Sequence, residues 1–125
     1  MADMGMQEAV RTVFGKYADF SGRARRQEYW WFNLFAALVS LVLAVIGSVL
    51  FHRPMGEYGV IAMLWSLATL LPSLTVAVRR MHDVGRSGWW LLIAFVPLVG
   101  ALVILYWFSQ RGTVGPNEFG PDPVT

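Results

Sequence analysis

The sequence has no cysteine. That removes disulfides, thiolate metal sites and thiol catalysis from consideration. Charge is also scarce: 14% of the 125 residues are Asp, Glu, Lys or Arg, against about 25% in an ordinary soluble domain. The deficit is uneven. No Asp, Glu, Lys, Arg or His occurs in residues 29–51, 58–78 or 87–110, runs of 23, 21 and 24 residues. As helices these runs would measure roughly 31–36 Å, enough to cross a hydrocarbon core of about 30 Å. The pattern predicts an all-α integral membrane protein with three transmembrane helices in one membrane domain. The first run starts near residue 29 and is too long for a signal-peptide apolar region, so it is expected to act as an uncleaved signal anchor.

Between and around these runs the sequence is punctuated. Residues 4–18 place Met6, Val10, Val13, Phe14 and Tyr17 at helical spacing, with Glu8, Arg11 and Lys16 off that stripe. This predicts a short amphipathic helix lying on the membrane surface. A basic run, 19–28, leads into Tyr29, Trp30 and Trp31, and Ser87-Gly88 leads into Trp89 and Trp90. Aromatics beside basic residues are expected to anchor at headgroup level. The connection 52–57 contains Pro54 and Gly56 and is short enough to leave its neighbouring helices antiparallel. Pro72 predicts a kink in the second span, and Pro97 with Gly100 a bend in the third. The tail, 111–125, is rich in Gly and Pro and reads as flexible and extended.

Orientation follows from the ten Lys and Arg. With three spans and the N-terminus in the cytoplasm, eight lie inside, and Arg53 and Arg111 lie outside. The positive-inside rule then gives a cytoplasmic N-terminus and an external C-terminus. The alternative is a re-entrant hairpin turning at Pro97, which would return the tail to the cytoplasm.

The chemistry-bearing residues collect at one face. Arg23, Arg25, Arg26, Arg79, Arg80 and Arg86 are candidates for binding anionic lipid headgroups; arginines that only set topology are the plainer reading. Asp83 is expected to pair with an arginine of the N-terminal run and clamp the first span to the second loop. His82-Asp83 with Ser87 matches no nucleophile motif, and His52 and His82 fall on opposite predicted faces, which argues against a shared metal. No catalytic residue, metal, cofactor or nucleic-acid partner is therefore expected. The spans carry small residues, including Ala36, Ala37, Ser40 and Gly47, spaced for close helix packing. Two functions stand: a non-enzymatic binding or interaction protein contacting membrane lipids, anionic phospholipids among them, or a membrane partner; and a subunit of a homo-oligomeric channel or transporter.

Three segments carry a family resemblance: Phe20-Ser21-Gly22-Arg23 through Arg26-Gln27-Glu28-Tyr29-Trp30-Trp31-Phe32, Arg79-Arg80-Met81-His82-Asp83-Val84-Gly85-Arg86-Ser87-Gly88-Trp89-Trp90, and Gly115-Pro116-Asn117-Glu118-Phe119-Gly120-Pro121-Asp122-Pro123. Together they resemble the bacterial inner-membrane family catalogued as domain of unknown function 805. Met81 stands where that family usually has another apolar residue. The resemblance implies an inner (plasma) membrane location and carries over no catalytic residue.

Overall fold

Every regular element among the described residues is helical, in a computed structural model that describes residues 4–51 and 57–124. The elements are α1 (Met6–Gly15), α2 (Arg26–Ile46), α3 (Glu57–Asp83), a 3₁₀ segment (Gly88–Phe95) and α4 (Val99–Ser109). A π-helical turn, Gly47–Phe51, extends α2. His52, Arg53, Pro54 and Gly56 of the predicted first turn lie outside the described residues.

Two segments are long and apolar enough to cross a membrane: Arg26–Val49 and Val60–Asp83. Only 11% and 22% of their most apolar windows are buried within the protein. A core helix of a soluble protein would have most of that surface covered, so these two helices are built for an apolar surrounding. The second helix runs further than the sequence suggests. Arg79 and Arg80, expected in a loop, lie on the last turns of α3, which ends at Asp83. The chain leaves α3 through a glycine cap: Gly85 has φ +82°, Gly85 N–H donates to His82 O, and Arg86 N–H to Met81 O. This is the Schellman pattern that closes a helix on a left-handed residue.

Pro72 sits inside α3 and has no N–H for the carbonyl four residues back, Ala68. The Tyr17 hydroxyl donates to that carbonyl at 2.7 Å, so a side chain from outside the helix satisfies the group that the proline strands. Tyr17 follows α1, whose apolar face packs on protein. Val13 joins Ala24, Phe32 and Val76 in the buried core, and Phe14 meets Phe32 edge-on at 5.6 Å. α1 is amphipathic, and Val13 and Phe14 of its stripe pack on α2 and α3, while Tyr17 stays 38% exposed. The core sits at the basic end of the two long helices.

The third apolar run also departs from expectation. It is a hairpin of two short arms. Val96 precedes a proline and takes an extended conformation (φ −81°, ψ 111°), Pro97 offers no N–H, and Leu98 turns the chain at φ +63°, with Val99 N–H donating to Pro97 O at 2.6 Å. That is a γ-turn, a strained reversal. Gly100 lies directly against the Ile93 carbonyl, where a side chain would have no room. Eight 3₁₀ residues and eleven α-helical residues each measure about 16 Å, roughly half a hydrocarbon core. Trp90 and Trp107 meet at the open end, 5.8 Å apart, with the Arg86 guanidinium over both rings at 5.3 and 4.2 Å.

The hairpin overturns two further expectations. Residues 111–124 emerge at the same end as the N-terminal run, not at the opposite one. They are also docked rather than loose. Arg23 donates to the carbonyls of Thr113 (2.5 Å) and Gly115 (2.7 Å), Asn117 Nδ2 donates to His82 O at 3.0 Å, and Phe119 stacks on the His82 ring at 4.2 Å.

Candidate functional site

Antiparallel packing brings the start of α2, the end of α3 and the tail to one place. The link is partly backbone: Ala24 N–H donates to Arg79 O at 2.9 Å, and Thr113 N–H to Asp83 O at 2.7 Å. On this frame sits a buried ionic network. Asp83, 1% exposed, accepts from Arg23 Nε at 3.0 Å, lies 2.9 Å from Arg23 Nη2, and pairs on its other oxygen with Arg80. Arg79 Nη1 meets Glu28 Oε2 at 2.5 Å. Asp83 therefore does contact an arginine of the N-terminal run, and it holds two guanidinium groups at once.

One carboxylate cannot satisfy ten guanidinium N–H donors. Backbone carbonyls take up much of the rest. Arg80 donates to Phe108 O (3.0 and 3.2 Å) and to Gln110 O, beside the Arg23 contacts with the tail. These carbonyls are left over where α4 ends. The hairpin thus delivers acceptors to arginines that would otherwise be buried with unmet donors. Arg79 is less well served: its Nε and Nη2 are buried without a hydrogen-bond partner.

This geometry divides the six arginines proposed from sequence. Arg23, Arg79 and Arg80 are at most 5% exposed and spent on the interior. Arg86 lies over Trp90 and Trp107. Arg25, half-buried and donating to Gln27 Oε1 at 2.7 Å, and Arg26, exposed and donating to Ser109 O at 3.0 Å, line a cleft of about 210 Å³ with Gln27, Asp83, Arg111, Gly112 and Val124. Arg111 is the residue that sequence reasoning placed on the far side. The cleft opens at the N-terminus of α2, where Arg25 stands at the cap position without a side-chain capping bond; a helix start offers backbone N–H groups and the positive end of its dipole. Among the described residues that line it, the one carboxylate, Asp83, is already held by Arg23 and Arg80.

The aromatic anchors also separate. Trp89 is 79% exposed, with Trp90 and Trp30 also exposed. Tyr29 turns inward, edge-on to Phe108 at 4.6 Å, and Trp30 Nε1 donates to Phe108 O at 3.1 Å. His82 and Asp83 do not form a base and its orienter. His82 Nδ1–H donates to Gly22 O at 2.8 Å, while Asp83 faces the arginines.

Asp122 fastens the tail on itself. Its carboxylate accepts from Val124 N–H at 3.0 Å, from Gly115 N–H at 2.9 Å and from Arg111 Nη2 at 2.9 Å. The Val124 and Gly115 amides, and then Arg111, hold its carboxyl well below the usual carboxylate range. A depressed carboxyl stabilises the folded form fully above its unfolded value, about 3.9, and loses that effect only as pH falls through the lowered value. Hydrogen-exchange protection of the Gly115 and Val124 amides, corrected for intrinsic exchange, should therefore be level from pH 7 to about pH 4. It should drop at neutral pH in Asp122→Ala.

The comparisons with known proteins follow the same outline. Residues 17–121 match the family described as "Protein of unknown function (DUF805)". The chain is 47% identical to the inner membrane protein YhaI of Escherichia coli K12 over 112 residues, covering 90% of this chain and 92% of the relative. It is 40% identical to the inner membrane protein YhaH of the same strain over 111 residues, covering 89% and 92%. No solved structure matches. With helices built for an apolar surrounding and inner membrane proteins as its relatives, the chain belongs to the DUF805 family of proteins of unknown function.

Proposed function

We propose that this is an inner-membrane binding protein whose cytoplasmic end presents an anion-binding cleft. The cytoplasmic assignment rests on charge. Apart from Arg53, every Lys and Arg of the sequence lies before or at the start of α2, at the end of α3, beside the hairpin or in the tail, and these segments meet at one end of the fold. Such an asymmetry marks the cytoplasmic side. Both the N-terminal run and the tail then lie in the cytoplasm.

The observation that carries the binding reading is the cleft of Arg25, Arg26 and Arg111 at the start of α2. A guanidinium has five N–H donors in a planar fork that matches a phosphate edge. Behind the cleft, Arg23 and Arg80 share the single charge of Asp83, which leaves the surroundings positive. Calorimetric titration of the detergent-solubilised chain with inorganic phosphate tests this. Arg26→Gln should weaken phosphate binding about tenfold, or about 1.4 kcal/mol, with little change in melting temperature because Arg26 is exposed. Absence of phosphate binding, or equal binding by Arg26→Gln, would overturn the reading.

A further inference from the structure

We propose that the ligand of the arginine cleft is an anionic phospholipid, its phosphate on Arg25, Arg26 and Arg111 and an acyl chain along Trp30, Trp31 and Leu34. This rests on the anion-binding reading above and adds the ligand class.

The cleft continues into a second, largely apolar groove of about 260 Å³, lined by Arg26, Gln27, Trp30, Trp31 and Leu34. Arg26 and Gln27 belong to both this groove and the arginine cleft. From Arg26 to Leu34 the groove descends α2 by eight residues, about 12 Å, passing from guanidinium groups to indoles to an aliphatic side chain. That is the order in which a phospholipid passes from phosphate to hydrocarbon, and the order of its own bilayer. Leu34 is 45% exposed and Trp30 36%, so the groove opens sideways to the leaflet from which such a molecule would enter.

The opposite flank repeats the pattern. A cleft of about 330 Å³ shares Arg111 and Gly112 with the central one and adds Arg86, Tyr106 and Trp107. A soluble phosphate would use the central cleft alone. A ligand with chains also covers the aromatic walls on either side, while the positive charge of the centre discriminates against headgroups with no net charge.

The test uses the full chain in mild detergent, with three probes: a phosphatidylglycerol, a phosphatidylcholine of the same acyl chains, and sn-glycerol 3-phosphate, which has the phosphate but no chain. Phosphatidylglycerol is expected to bind at least tenfold more tightly than either other probe. Leu34→Gln should weaken phosphatidylglycerol about fivefold and leave glycerol phosphate unchanged, and Arg26→Gln should weaken both. Trp31→Ala supplies a second groove variant with the same expectation as Leu34→Gln. If phosphatidylglycerol binds no better than glycerol phosphate, or both groove variants bind it like wild type, the acyl-chain groove is overturned and the anion cleft stands. If Arg26→Gln changes neither ligand, the cleft falls with it.

Discussion

Asp83→Asn is expected to destabilise the folded chain by about 3–5 kcal/mol, the cost typical of removing one partner from a buried ion pair. Asp83 is 1% exposed and contacts two arginines, each at most 5% exposed. The asparagine amide carries no charge and offers one acceptor oxygen instead of two. Arg23 and Arg80, 60 and 3 residues from Asp83 in sequence, would then sit buried with no anion between them. The backbone carbonyls of the tail and of α4 satisfy donors, but they do not neutralise charge. Unfolding in mild detergent measures the loss, and Glu118→Gln, an exposed acid of the tail, is the control with no expected change. If Asp83→Asn unfolds like wild type, the network does not hold the fold and the carboxylate only trims charge.

The second large effect lies at Gly100. A methyl group there would fall on the Ile93 carbonyl oxygen and come within 2.7 Å of its carbon and 3.1 Å of the Ala94 Cα. Those neighbours are backbone, so no rotamer change relieves the clash. Gly100→Ala must push the arms of the hairpin apart, and its cost is expected at or above the top of the range of about 1–3 kcal/mol usual for overpacking. Separation of the arms would also loosen Trp90 from Trp107 and displace the α4 carbonyls from Arg80. Raised trypsin cleavage at Arg111 should accompany the loss of stability. Gly15→Ala, which meets nothing within 4 Å, is expected to show neither effect. A Gly100→Ala protein as stable and as resistant as wild type would mean that the hairpin is not closed at this point.

Much of this protein is legible in its sequence, and the reasons for the exceptions are physical. The two long helices are written as runs without charge, because a charged side chain facing hydrocarbon is costly. The contact between Asp83 and the N-terminal arginines follows from antiparallel helices and a lone carboxylate among many cations. Hydropathy, however, reports composition and not direction. Residues 87–110 are equally apolar as one straight span or as two half-length arms, and only Pro97, the strained Leu98 and the tight approach at Gly100 decide for the arms. Taken as one straight span, the run puts Arg111 at the end opposite the N-terminal arginines, and with it the third side of the cleft. Burial was hidden in the same way. Counting arginines gives charge, but whether Arg23 and Arg80 face water or the interior depends on carbonyl acceptors that the hairpin and tail deliver. The amphipathic stripe of α1 is likewise one signal with two uses, since a bilayer and the faces of α2 and α3 attract the same side chains.

The arginine cleft exists only if the tail returns to the basic end of the fold, and site-directed labelling measures this directly. The chain has no cysteine, so a single introduced one reports its own side of the membrane without background. Val114, 78% exposed in the tail, and Arg11, exposed on α1, are the positions to compare in spheroplasts treated with a membrane-impermeant maleimide. Both Val114→Cys and Arg11→Cys should stay unlabelled until the membrane is opened, and then label together. Labelling of Val114→Cys in intact spheroplasts, with Arg11→Cys still protected, would put the tail outside and contradict the hairpin, the docked tail and the arginine cleft built on it.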